Sequence, residues 1–159
     1  MEVEGMKKLF VMSLAVLVAG FLTTVSHAGF WQKTKLLTPK QGELRIPVAD
    51  VSDGKAHFFK VKSGDGTMVT FFVLKSKDGV IRAALNACDE CYRAGKGYVQ
   101  DGDFMVCEQC GRRFFSDKIN VIAGGCNPVG IDKKIQADQL VIGMKDINSK
   151  SWYCQLPKK

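Results

Sequence analysis

From residue 42 onward, apolar and polar positions alternate in short runs cut by turns. "AHFFKVKS" and "TMVTFFVLKS" flank one Asp-Gly pair, Asp65–Gly66, and "TFFVLKS" and "GVIRAALN" flank another, Asp78–Gly79. Two further pairs stand at Asp53–Gly54 and Asp101–Gly102. Asp-Gly beside aromatic or β-branched runs predicts hairpins, because glycine takes positive φ without a steric cost. "DFMVC", "NVI", "QLVIGM" and "SWYCQL" read as further short strands, no long amphipathic helix emerges, and "ACDECYRAG" holds a single turn. The pattern therefore predicts a small all-β domain of antiparallel strands over residues 42–159, a sandwich or barrel, with residues 29–41 as a linker or edge segment. The doublets Phe58–Phe59, Phe71–Phe72 and Phe114–Phe115 belong to its core and sheet faces, since aromatics dominate β cores.

The N-terminus departs from this pattern. Lys7 and Lys8 precede the uncharged run "LFVMSLAVLVAGFLTTV", and "SHA" follows with small residues at Ser26 and Ala28. That order is a secretory signal, cleaved after Ala28; left uncleaved, residues 9–25 would anchor the chain to a membrane, although the run is short for a span. Either route puts the domain outside the cytoplasm, in the periplasm or on the membrane. No cysteine lies between the apolar run and Cys88, so a lipid attached at a cysteine after cleavage is excluded.

Composition adds that the rest is ordinary globular protein, 46% hydrophobic and 25% charged over 159 residues. The net charge of +7 survives removal of residues 1–28, which hold two lysines and two glutamates. The basic doublets Arg112–Arg113, Lys133–Lys134 and Lys158–Lys159 are scattered, without the aromatic interleaving of a nucleic-acid surface. They describe a solvated surface, or one facing an acidic redox partner or an anionic membrane.

Chemistry concentrates in the cysteines. Cys88/Cys91 and Cys107/Cys110 are two Cys-x-x-Cys pairs with fifteen residues between them. Each such turn aims two sulfurs at one point, and two facing turns make an S₄ cage suited to zinc or to an iron–sulfur centre. Gly111 after Cys110, and Gly95 and Gly97 after Cys91, fit tight turns that bring amide N–H groups to sulfur. Outside the cytosol disulfides compete, but a bridge across a two-residue gap is strained, and pairing between knuckles wastes the duplicated spacing. The only histidine outside the apolar N-terminus is His57, a half-buried strand residue by its context, so no Ser/His/Asp set assembles and hydrolysis has no candidate. An electron carrier or accessory redox module fits better than an enzyme.

"DGKAHFFKV", the stretch from "FFVLKSKDGVIRAALNACDEC" through "GDFMVCEQCGRRF", and "INVIAGGCNPVGI" resemble the FtrD-like family of membrane iron–sulfur proteins over residues 42–132. The resemblance implies an iron–sulfur cluster on Cys88, Cys91, Cys107 and Cys110, and a redox role linked to iron transport or iron handling. Its partner would be a redox protein or a membrane iron-transport component. The order of these segments is also distantly similar to Rieske domains, with Cys110 where the second histidine ligand stands and Glu90 at the first, Cys91 lying one residue beyond. Four thiolates would bring a two-iron cluster from the Rieske range of about −150 to +300 mV toward about −400 mV. By the same likeness "GGCNP" covers the cluster, and Cys126 becomes either a fifth thiol at the site or the partner of Cys154 in a disulfide stapling this loop to the last strand.

The targeting segment pulls the other way. A preassembled cluster is exported behind a twin-arginine signal, whereas Lys7–Lys8 suit the general route, which passes unfolded chains. Zinc, available after export, avoids that difficulty, so a structural zinc module stands as the alternative cofactor reading. A thiol–disulfide redox protein using Cys126 is the second alternative.

Overall fold

The computed structural model describes residues 33–156; the signal or anchor expected at 1–28 lies outside them. Within this span ten strands run in chain order: β1 Thr34–Leu36, β2 Glu43–Pro47, β3 His57–Lys62, β4 Met68–Lys75, β5 Ile81–Leu85, β6 Tyr98–Asp101, β7 Phe104–Cys107, β8 Arg113–Phe115, β9 Lys134–Gln136 and β10 Gln139–Gly143. Among the described residues there is one short helix, α1, at Met144–Ser149. Among the described residues no helix is long and apolar enough to cross a membrane.

The strands form three sheets, ordered β1-β3-β4-β5, β2-β10-β9 and β6-β7-β8. The four-stranded sheet is central because both of its faces are buried. On one face Phe59, Val61, Phe71, Val73, Ala83 and Leu85 share a core with Leu44 and Ile46 of β2 and Leu140 and Ile142 of β10. On the other, Phe58, Phe72, Leu74 and Ala84 pack against Tyr98 and Met105 of the third sheet, together with Cys88, Cys107 and Cys126. Successive side chains point to opposite faces of a strand, so the doublets Phe58–Phe59 and Phe71–Phe72 each serve both cores, whereas in Phe114–Phe115 only Phe114 packs inward and Phe115 is exposed. The register pairs Phe58 with Phe72 and Phe59 with Phe71, and the ring centroids in these pairs stand 5.7 Å and 5.4 Å apart. Burial on both sides explains why "MVTFFVLK" reads as a near-continuous apolar run. Burying each such ring contributes about 1.5–3 kcal/mol.

Three of the four Asp-Gly pairs close the expected hairpins, β3–β4, β4–β5 and β6–β7. Asp53–Gly54 does not. It lies between a 3-10 turn at Val48–Val51 and β3, where Asp53 accepts from the Lys55 amide at 3.0 Å and pairs with His57 at 2.7 Å. The strand before it, β2, pairs instead with β10, so no hairpin is available there. "NVI" is a turn, with Asn120 at φ 64°, and "SWYCQL" begins as a 3-10 turn at Ser151–Cys154. The edge segment expected before residue 42 supplies β1, parallel to β3 in an otherwise antiparallel set.

Candidate metal centre

The first knuckle follows β5. Asn86 holds the exit, its amide donating to the Thr70 carbonyl at 2.9 Å and its side-chain oxygen accepting from the Tyr98 amide at 2.7 Å. Cys88 to Cys91 then turn sharply, with the Cys91 amide 3.3 Å from the Cys88 sulfur and the Tyr92 amide 3.2 Å from the Cys88 carbonyl. A 3-10 turn at Tyr92–Ala94 leads to Gly97 at φ +75°. A Cβ on Gly97 would meet Asn86 Nδ2 at 2.3 Å, so only glycine lets the chain pass under Asn86 and enter β6.

The second knuckle joins β7 to β8. The Gly111 amide donates to the Cys107 carbonyl at 2.8 Å, and the Cys107 amide to the Arg112 carbonyl at 2.9 Å. Amides of Cys110 and Gln109 donate to the Cys107 sulfur, and that of Arg112 to the Cys110 sulfur. The knuckles are stitched together by the Glu108 amide, which donates to the Gly97 carbonyl at 2.9 Å. A third segment arrives from the loop before β9. There Tyr98 Oη donates to the Cys126 carbonyl at 2.5 Å, and Val129 bonds back to Ala87 at 3.1 Å.

These three segments bring five sulfurs together. Those of Cys88, Cys91 and Cys126 lie within 4.8 Å of one another, as do those of Cys91, Cys107 and Cys110. The two trios share Cys91. Cys88, Cys107 and Cys126 are buried, Cys91 is half-buried and Cys110 is exposed. Burial pushes the thiols of Cys91, Cys107 and Cys126 up, whereas the Arg112 amide draws that of Cys110 down. An all-thiolate set with amide donors fits zinc or an iron–sulfur centre.

Cys154 stands apart. It is a free thiol, as is Cys126, so the two are not joined as a disulfide, and it belongs to neither trio. It lines a cavity of about 130 Å³ that Cys88, Cys91, Cys107 and Tyr153 also line, and burial raises its pKa. His57 sits half-buried at the start of β3, engaged by Asp53.

Sequence reasoning missed the residues that brace the knuckles. Tyr98 is fully buried, and burial drives its phenol well above the usual range. Tyr153 donates to Asp89, inside the first knuckle, with its phenol pushed up to about 12 by burial and by this bond. The Tyr153 ring stacks on Trp152 at 3.7 Å, and both rings meet Tyr92 edge-on. The one available signal was Tyr98 itself, a bulky residue following two glycine turns.

A family model described as "Membrane iron-sulfur containing protein FtrD-like" matches residues 51–153. The search of curated proteins returned no match. Among solved structures, the quaternary ammonium Rieske monooxygenase CntA in complex with an inhibitor aligns at 14% identity and a TM-score of 0.41. That alignment covers 73% of this chain and 32% of the monooxygenase, a likeness too distant to bear on ligands or activity.

Proposed function

The chain belongs to the FtrD-like family of membrane iron–sulfur containing proteins, and we propose on that premise that Cys88, Cys91, Cys107 and Cys110 hold an iron–sulfur cluster serving electron transfer outside the cytoplasm, in a step linked to iron handling. The observation that carries the reading is that the sulfurs of both knuckles meet through Cys91, which belongs to one trio with Cys88 and Cys126 and to another with Cys107 and Cys110. When bound, the cluster would supply one-electron chemistry. The protein's own part is to orient and shield: amide N–H groups of Cys91, Gln109, Cys110 and Arg112 point at sulfur, where they favour the thiolate form. The aromatic and aliphatic core behind Cys88 and Cys107 excludes water from one side, and exposed Cys110 leaves the other open to a redox partner. Hydrogen bonds to sulfur and solvent exposure are among the levers that set such a potential. The partner proposed is a redox protein or a membrane iron-transport component, met in the periplasm or at the membrane.

Anaerobic purification from the native envelope fraction, followed by iron, acid-labile sulfide and zinc analysis, tests the reading. Iron and sulfide in equal amounts support it. Zinc alone, in a protein without sulfide, would establish the second reading, a structural zinc module, which Lys7–Lys8 in place of a twin-arginine signal favours.

A further inference from the structure

Four ligands complete the proposed centre, yet five thiols stand at it. Cys126 places its sulfur within 4.8 Å of those of Cys88 and Cys91, and the second of these is also shared with the trio that contains Cys107 and Cys110. Cys126 and Cys110 differ in setting, since Cys126 is 8% exposed and Cys110 lies open to solvent. Nor does Cys126 hang on a loose loop. Its carbonyl accepts from Tyr98 Oη at 2.5 Å, Asn127 beside it donates to the Ile122 carbonyl, and Val129 ties the loop to Ala87 and Leu85 at 3.1 Å and 2.8 Å. Tyr98 is buried between the central sheet and the knuckles, so the position of Cys126 is fixed by the same core that fixes Cys88 and Cys107. Ordering a loop this way costs conformational entropy that a spare thiol alone would not repay.

We propose that Cys126 is a reserve ligand of the centre, able to take the coordination position of Cys110 when that exposed thiol is unavailable. The inference rests on the reading of these cysteines as metal ligands, but not on the metal being an iron–sulfur cluster. The exchange is not a redox step. The Cys126 thiol gives its proton to solvent as its sulfur–metal bond forms; the Cys110 sulfur–metal bond breaks, and that sulfur takes a proton up. Charge and electron count at the metal are unchanged.

Cobalt(II) alone, titrated into the reduced full-length chain, reads thiolate ligation through the sulfur-to-cobalt charge-transfer band without any cluster assembly. Cys110→Ala, Cys126→Ala and the control Cys110→Ala/Cys154→Ala should each keep the four-thiolate spectrum. Cys110→Ala/Cys126→Ala should lose it, with affinity down by about 100-fold or more. Because that double variant could fail to fold, a second readout uses Cys110→Ala only: with cobalt bound, Cys126 should resist alkylation, and chelation should expose it. A lost four-thiolate spectrum in Cys110→Ala, or a retained one in Cys110→Ala/Cys126→Ala, overturns the proposal, as does unprotected Cys126 in the loaded Cys110→Ala protein. A chain that binds cobalt as expected yet never carries iron and sulfide would defeat the iron–sulfur reading and leave this one standing.

Discussion

Tyr98 shows how a single side chain serves the centre without touching the proposed metal. Its hydroxyl satisfies the buried Cys126 carbonyl. Tyr98→Phe leaves that acceptor unpaired, which costs about 1–3 kcal/mol; the expected outcome is a lower urea midpoint together with faster alkylation of Cys126 in the apo protein. A different residue contributes to acid stability. The Asp78 carboxyl is drawn from its ordinary 3.8 to about 2, chiefly by the Ser76 hydroxyl, then by the Val80 amide and the Arg82 guanidinium. A lowered folded pKa contributes stability that is present above the ordinary value and lost as pH falls through the folded one. Urea midpoints at about pH 5 and about pH 2.5 should therefore differ less in Asp78→Asn than in the wild type. At this scale the sequence displayed the four knuckle cysteines plainly, because their spacing is local. It could not display the Tyr153–Asp89 contact, which joins residues sixty-four positions apart.

Elements with local causes were legible and those with distant causes were not. The turns at Asp65–Gly66, Asp78–Gly79 and Asp101–Gly102 carry their conformation in two residues and joined the strands expected of them. Asp53–Gly54 has the same chemistry, but the partner of β2 is β10, nearly a hundred residues on. "SWYCQL" offers too short a window for alternation to decide between strand and helix; there the packing of Trp152 and Tyr153 on Tyr92 accompanies a 3-10 turn. Two substitutions test this level. Gly97→Ala sets a Cβ against Asn86 at a positive φ, and should cost about 1–3 kcal/mol with weaker metal binding, since the passage from the first knuckle to β6 is disturbed. Phe72→Ala opens the core between the central and knuckle sheets and should lower stability by about 3–5 kcal/mol in denaturant titration.

Among the described residues, a central sheet carries a second sheet on one face and the cysteine-bearing sheet on the other. That layering gives the cysteine cluster a dry back and an open edge at Cys110, which suits the electron-transfer role proposed above. The all-β class was readable from alternation alone, whereas the three-layer arrangement was not, because a strand buried on both faces shows no alternation to interpret. Whether an all-thiolate iron–sulfur cluster occupies this edge is tested most directly by one potentiometric titration of the purified protein followed by visible absorbance. The expected result is a brown protein that bleaches reversibly on reduction, with a midpoint toward about −400 mV. A colourless protein with no reducible absorbance, or a midpoint inside the histidine-ligated range above about −150 mV, would contradict it.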